Sequence, residues 1–229
     1  MTMVASLAIK DAFIFGSESR EISADAEWIK DFQAGNFANK NFKVLPGEFP
    51  KTYLIGDRFA LNYSGAGFTP DWHFEPVLAE LQQMARSGGC CLLDLATHLN
   101  NHLRQALGDM LFGFHMAGFI DGTPALVSSN TGQLTFHAPT EQNPDMYFLY
   151  LTGATAVLES LFEKETPDFE NMTVSKGIDF VRCILTAGCK FQEYFTRYSA
   201  VSGGPINILV VTPEKIKFLK FPEMEVCGI

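Results

Sequence analysis

Apolar residues along this chain occur in short runs separated by turn-forming residues, which predicts many strands. The first run covers residues 2–9, and a second run, 12–17, returns after the polar pair Lys10-Asp11. Both runs are apolar at nearly every position, which is typical of strands that are buried on both faces. Further strands are predicted in the same way at 51–55, 59–63, 111–120, 125–129, 134–137, 147–151, 206–212 and 216–218.

Four longer segments repeat their apolar residues every three or four positions, as the buried face of a helix does. We predict helices at 74–85 and 92–107, and a second pair at about 155–164 and 173–197. The stretch 21–50 is mixed and polar, so we expect a long excursion there with one short helix.

The predicted elements follow one another as ββ-ββ-αα-ββββ-αα-ββ. Strands that come in runs, with helix pairs between them, favour an α+β fold over a βαβ winding. Two stacked antiparallel sheets, each covered on its outer face by a helix pair, would bury all of these apolar faces. This arrangement is a four-layer αββα sandwich. Because the 229 residues contain neither a linker-like segment nor an internal repeat, we expect a single domain over 1–229.

Composition narrows the class of protein. Hydrophobic residues make up 47% of the chain, enough for a sizeable core, whereas charged residues make up only 19%. This low charge content favours a surface that is partly covered by other subunits. The net charge of -9, without a Lys/Arg cluster, argues against nucleic-acid binding. We expect a cytoplasmic protein, because no membrane-length apolar run or signal peptide is recognisable and five cysteines lack a zinc-like spacing.

Four short motifs recur in a defined order along nearly the whole chain. They are Thr2 at the start of the first strand with Ser17-Glu18-Ser19-Arg20 after the second; Lys51, fourteen residues before Gly65 of the pair Ser64-Gly65; Thr152-Gly153 at a strand-to-helix junction; and Tyr198-Ser199-Ala200-Val201-Ser202-Gly203-Gly204 before a strand. In order and spacing they resemble the motifs of the proteasome β-subunit family, including its bacterial-type homologues. That family consists of N-terminal-nucleophile (Ntn) hydrolases.

The resemblance implies the Ntn-hydrolase fold and a threonine-type endopeptidase. Thr2 would be the nucleophile once Met1 is removed, and its own amine would be the base. Lys51 would lower the pKa of the hydroxyl and of the amine, and Glu18 would hold Lys51 by a charge-assisted hydrogen bond. The backbone N–H of Gly65 would stabilise the oxyanion of the tetrahedral intermediate.

The motifs also depart from the family pattern. Glu18 replaces the usual aspartate, and Ser199 stands at the position of an aspartate that supports the nucleophile and its amine. Thr152 replaces a serine but keeps the hydroxyl, and Ser202 completes the implied catalytic set. About seventeen additional residues fall within the 21–50 excursion. These departures bear on turnover rather than on the fold.

The resemblance also implies where substrate would bind. Tyr63 lies two positions before Gly65, where the family shapes the pocket for the substrate side chain. A bulky aromatic residue there predicts a shallow pocket that favours small or flat side chains. Phe49 and Tyr53 would be its neighbours, and Arg20 is assigned to the same substrate-binding group.

For partners, the resemblance implies self-association into rings of six or seven subunits, which can stack, and a peptide or unfolded protein as substrate. A separate ATPase ring would be the partner if an unfoldase exists. Because only Met1 precedes Thr2, we expect a bacterial-type homo-oligomer that needs no long propeptide. Two alternatives stay open: a non-catalytic structural subunit, motivated by Glu18 and Ser199, and an amidase or peptide ligase that uses the same acyl-enzyme chemistry.

We expect no metal and no cofactor. His98 and His102 are four residues apart on a predicted helix, a spacing that can bind a metal. The sequence offers no nearby Glu or Cys to complete a set, so we interpret them as helix-surface residues. The other histidines, His73, His115 and His137, are scattered, and no nucleotide-binding motif is recognisable.

Overall fold

The computed structural model describes residues 3–34, 41–65, 68–69, 72–108, 110–153, 158, 162, 165–194 and 202–222. Thr2 and Ser199 lie outside these described residues. The strands are β1 (Met3–Ile9), β2 (Ala12–Ser17), β3 (Ile22–Ala24), β4 (Phe42–Val44), β5 (Thr52–Ile55), β6 (Phe59–Ser64), β7 (Phe68–Thr69), β8 (Trp72–His73), β9 (Gly113–Ile120), β10 (Thr123–Asn130), β11 (Gln133–His137), β12 (Phe148–Gly153), β13 (Ile206–Val211) and β14 (Ile216–Phe221). The helices are α1 (Ala26–Gln33), α2 (Phe74–Arg86), α3 (Leu92–Leu107) and α4 (Val174–Tyr194).

Ten of these strands form two five-stranded antiparallel sheets. The first sheet has the order β12-β1-β2-β13-β14, and the second has the order β11-β10-β9-β6-β5. The strands β1 and β2 are buried at every residue, as their continuous apolar runs predict. Two small ribbons, β3–β4 and β7–β8, complete the described strands.

The two sheets pack face to face, and helices cover them on their other faces. Residues between the sheets include Phe13, Phe15 and Leu209 from the first and Ala117 and Leu126 from the second. Helix α4 packs on β1, β2 and β13, while α2 and α3 pack on the second sheet. The described residues therefore form a mixed α/β structure of two stacked antiparallel sheets, as expected.

Glycine permits close contact between α4 and β2. A Cβ atom on Gly16 in β2 would lie 2.4 Å from Cγ1 of Val181, and one on Gly177 in α4 would lie 2.4 Å from Cδ1 of Ile14. Such contacts are too short for any larger residue, so α4 can approach β2 closely only because both positions are glycine.

The predicted elements agree with the structure to within a few residues where it describes them. The helix expected at 173–197 runs over Val174–Tyr194, and 195–197 lie outside the described residues. Of the helix expected at 155–164, Leu158 and Phe162 are described, and both are helical. The 21–50 excursion holds the expected short helix, α1, and also the β3–β4 ribbon, whose three-residue strands are too short to produce a pattern. Within the described ranges, no helix is both long and apolar enough to cross a bilayer.

Candidate active site

Glu18 is a fully buried carboxylate that follows the end of β2. Three backbone N–H groups from separate parts of the chain donate hydrogen bonds to it. The N–H of Met3 reaches Oε1 at 3.2 Å, while those of Arg20 and Gly203 reach Oε2 at 2.8 and 3.0 Å. These donors hold the carboxylate in one orientation.

Lys51 is the counter-ion of this carboxylate. It immediately precedes β5, is only 8% exposed, and donates from Nζ to Oε1 of Glu18 at 3.0 Å. The same Nζ also donates to the backbone carbonyl of Arg20. Burying an ammonium group is costly unless it is paired and hydrogen-bonded, and both conditions are met here. The pairing of Lys51 with Glu18 expected from the sequence is therefore present.

The ion pair lies at the beginning of β1. Oε1 of Glu18 accepts hydrogen bonds from both the Met3 N–H and Lys51 Nζ. Met3, which directly follows Thr2, is thus linked to the lysine ammonium through this one oxygen atom. In the first sheet, Val4 of β1 lies opposite Ser17 of β2, the residue before Glu18. The sheet register thereby places the start of the first strand beside the charged pair.

The Ser-Gly-Gly turn closes around the same carboxylate. The Gly203 carbonyl accepts hydrogen bonds from the N–H groups of Ser19 and Arg20 at 3.1 and 2.8 Å. Ser202 is fully buried; its N–H donates to Oε1 of Gln192, and its carbonyl accepts from the Arg20 guanidinium at 3.2 Å. A Cβ at position 203 would lie 2.4 Å from the Arg20 guanidinium, so a larger residue there would require the Arg20 side chain to move. Arg20, which the sequence assigns to the substrate-binding group, contacts this turn through its guanidinium.

A cavity of about 410 Å³ opens beside Lys51 and Gly65. Its lining includes the predicted residues Phe49, Tyr53 and Tyr63. The structure therefore brings these three aromatic residues, the lysine and the glycine to one cavity. The cavity falls within the range of about 300–1,000 Å³ that is usual for ligand pockets.

The position of Tyr63 explains why it does not fill this space. Its ring stacks on Phe74 of α2, with the ring centres 4.5 Å apart and the planes 7° from parallel. The Tyr53 ring lies 5.5 Å from the same phenylalanine. Burial raises the pKa of both tyrosine hydroxyls, so the aromatic wall is uncharged at neutral pH. Tyr63 thus forms part of the wall and leaves the cavity open.

Two carboxylates in the cavity lining were not singled out by sequence reasoning. Glu21 is half-buried, whereas Glu75, in the first turn of α2, is exposed. Burial raises the pKa of Glu21; the positive charge of Lys51 opposes this, while the negative charges of Glu75 and Glu18 add to it. The cavity lining consequently combines an aromatic wall with two carboxyl groups and the Lys51 side chain. No local motif marks either residue, because only the fold places them together.

Thr152 belongs to a second buried network beside the first strand. Its Oγ1 lies 3.2 Å from Nε2 of His115, whose Nδ1 lies 2.8 Å from Oγ of Ser6. Asn62 also donates to the Ser6 hydroxyl at 3.0 Å. Burial lowers the pKa of His115 to about 3, with a smaller contribution from His137, so the imidazole is neutral at physiological pH. Sequence reasoning treated His115 as isolated because its partners are far away in the chain.

The structure corrects one conclusion about the histidine pair on α3. Oε2 of Glu80, on the neighbouring helix α2, lies 2.9 Å from Nε2 of His98 and 3.3 Å from Nε2 of His102. The statement that no Glu completes the pair is therefore wrong. Glu80 was missed because it lies eighteen residues before His98 and is brought there only by packing of the two helices.

A scan against models of known protein families finds no match to this chain, and a search of curated proteins finds none either. The function of the site is therefore inferred from the contacts and distances within the chain.

Proposed function

We propose that this protein is a threonine-type peptidase of the N-terminal-nucleophile class, with the four-layer αββα architecture of a proteasome β subunit. One observation carries the proposal: a buried ion pair, Lys51–Glu18, shares a carboxylate oxygen with the N–H of Met3, the residue after Thr2. The stacked sheets with helices on their outer faces are compatible with this architecture.

In the proposed mechanism, removal of Met1 frees the amine of Thr2. That amine takes the proton of the Thr2 hydroxyl while Oγ adds to the carbonyl carbon of the scissile peptide bond. The ammonium of Lys51 favours the deprotonated hydroxyl through its positive charge. Glu18 holds Lys51 in position without itself exchanging a proton.

The tetrahedral intermediate places a negative charge on the former carbonyl oxygen. We assign the N–H of Gly65 to this oxyanion; one such donor contributes on the order of 3 kcal/mol in hydrolases. Collapse breaks the C–N bond, and the leaving amine takes the proton held by the Thr2 amine. A water molecule then adds to the ester in the same way and releases the acid product and the free Thr2 hydroxyl.

The cavity beside Lys51 is the proposed pocket for the substrate side chain that precedes the cut bond. Its volume of about 410 Å³ suits a large side chain, and the carboxylates of Glu21 and Glu75 favour one with a positive charge. We therefore propose a preference for basic side chains with a long aliphatic stem, which can pack against Tyr53 and Tyr63.

The central experiment measures peptide cleavage together with the intact mass of the purified protein. We expect the mass to show loss of Met1, and Thr2→Ala to abolish turnover. Thr97→Ala, an exposed position on α3, is the matched control and should leave turnover unchanged. Acid quenching during turnover, followed by peptide mapping, should trap the acyl group on the peptide that begins with Thr2.

The same measurements separate the alternative functions. Retained Met1 with no turnover would indicate a non-catalytic subunit in a ring. Formation of a new amide bond when an amine acceptor is added would indicate a ligase that uses the same acyl-enzyme. Unchanged turnover in Thr2→Ala would rule out the proposed mechanism altogether.

The pocket assignment is tested with peptides that differ only in the residue before the cut. We expect lysine or arginine there to give a higher kcat/KM than alanine. Glu75→Gln and Glu21→Gln should reduce that preference, whereas Glu170→Gln, an exposed position outside the cavity lining, should not. If alanine is preferred in all four proteins, the shallow pocket expected from Tyr63 is the better description.

A further inference from the structure

Three side chains with metal-binding atoms converge on the outer surface of the helix pair α2–α3. They are Glu80 of α2 with His98 and His102 of α3, here called the α2–α3 cluster. One carboxylate oxygen and two imidazole nitrogens from the three residues lie within 4.8 Å of one another. The cluster takes no part in the proposed catalytic site.

The two distances from Glu80 to the histidines are close to the spacing of ligands around one metal ion. In a tetrahedral zinc site with bonds of about 2.0–2.1 Å, neighbouring ligand atoms are about 3.3 Å apart. Oε2 of Glu80 lies 2.9 Å from Nε2 of His98 and 3.3 Å from Nε2 of His102. Small rotations of these partly exposed side chains would equalise the two distances.

Helix geometry explains how the two histidines share one partner. Residues four apart lie on the same helix face, and the imidazole rings of His98 and His102 are 4.5 Å apart. Both Nε2 atoms face the same oxygen of Glu80. An ordinary surface ion pair needs only one of these histidines and contributes about 0–1 kcal/mol. Two imidazoles directed at one carboxylate oxygen instead form a three-ligand set.

The chemistry of the ligands selects the kind of ion. Imidazole nitrogen suits zinc and its neighbours cobalt, nickel and copper, whereas magnesium and calcium prefer sites made of oxygen ligands. The three side chains are between 30% and 49% exposed, so solvent can supply the remaining ligand. We propose that Glu80, His98 and His102 bind one divalent ion of the zinc class, with water in the fourth position, and that this ion links α2 to α3.

The test uses tag-free, metal-free full-length protein titrated with Zn²⁺ by calorimetry and with Co²⁺ by visible absorption. We expect one ion per chain and the d–d bands of a tetrahedral Co²⁺ site. His98→Gln, His102→Gln and Glu80→Gln should each weaken binding at least tenfold, since even loss of an outer-sphere partner costs roughly 10–100-fold. The thermal midpoint should rise with Zn²⁺ in the unmodified protein but not in Glu80→Gln. A cooperative unfolding transition of Glu80→Gln in the same measurement shows that this variant is folded.

A matched control keeps the number of histidines and changes only their geometry. Thr97→His combined with His98→Thr moves one imidazole so that it lies about 140° around the helix from His102. This double variant should bind as weakly as His98→Gln. Equal binding by the double variant and the unmodified protein would overturn the proposal, as would absence of Zn²⁺ binding. A near-ultraviolet thiolate-to-cobalt band that persists in all variants would assign the ion to cysteine and overturn it too.

Discussion

Two buried polar centres lie beside the first strand. One contains an ion pair, and the other contains a neutral imidazole. The centre at Glu18 keeps an ionised carboxylate next to the ammonium of Lys51. The centre at His115 holds an imidazole between the hydroxyls of Ser6 and Thr152, and burial lowers its pKa to about 3.

The difference shows that a charged side chain can be buried when its contacts offset the cost of desolvation. Glu18 has a counter-ion and three backbone N–H donors, so the favourable contacts offset its desolvation. For His115, desolvation is the main influence on the pKa, and the nearby His137 lowers it further. It therefore stays neutral. A charge that is retained in the interior at such cost is a better candidate for chemistry than a polar group that has lost its charge.

The largest effect is expected for Glu18→Gln, which removes the counter-ion and leaves the Lys51 ammonium buried. Breaking a buried pair in this way typically destabilises a protein by about 3–5 kcal/mol. Urea-induced unfolding at a fixed protein concentration measures the change. Glu48→Gln is the matched control, because Glu48 pairs with Lys220 on the surface with side chains 45% and 51% exposed, and a change below about 1 kcal/mol is expected. Equal losses in the two variants would remove the distinction between the buried and the exposed pair.

A second prediction concerns the pH dependence of stability at His115. The unfolded chain takes up a proton at this residue below a pH of about 6.5, whereas the folded protein resists protonation until about pH 3. The contribution of His115 is therefore fully present above pH 6.5 and is lost as the pH falls, by up to about 1.4 kcal/mol per unit. Unfolding in urea at pH 7, 6 and 5 should show a steeper loss for the unmodified protein than for His115→Gln. Parallel curves would show that His115 is not held neutral.

The smallest effect is expected at Thr152. Thr152→Val removes one hydrogen-bond partner of His115 but keeps the shape of the side chain, so the cost should be about 1 kcal/mol. Thr152→Ser keeps the hydroxyl, so it should keep most of the stability that the hydrogen bond to His115 contributes. Thermal unfolding of the two variants side by side measures the difference. If Val is tolerated better than Ser, packing of the methyl group outweighs the contact with His115.

The sequence predicted the charged centre better than the neutral one, for a reason that particular residues show. Glu18, Lys51 and Gly65 lie in short motifs with defined spacing, and the structure places Glu18 in contact with Lys51 and Lys51 beside the same cavity as Gly65. Thr152 and His115 are 37 residues apart and meet across the two sheets. No local sequence pattern predicts that contact.

By itself the sequence determined which residues would be buried and in what kind of element. Continuous apolar runs indicated β1, β2 and β13, because a strand buried on both faces needs an apolar residue at nearly every position. The periodic stripe indicated α4, because a helix buried on one face repeats its apolar residues every three or four positions. Only the tertiary structure decided which buried or surface groups meet. Strand order and helix packing set those contacts over long separations, as with Glu80 and His98, and a linear pattern carries no record of them.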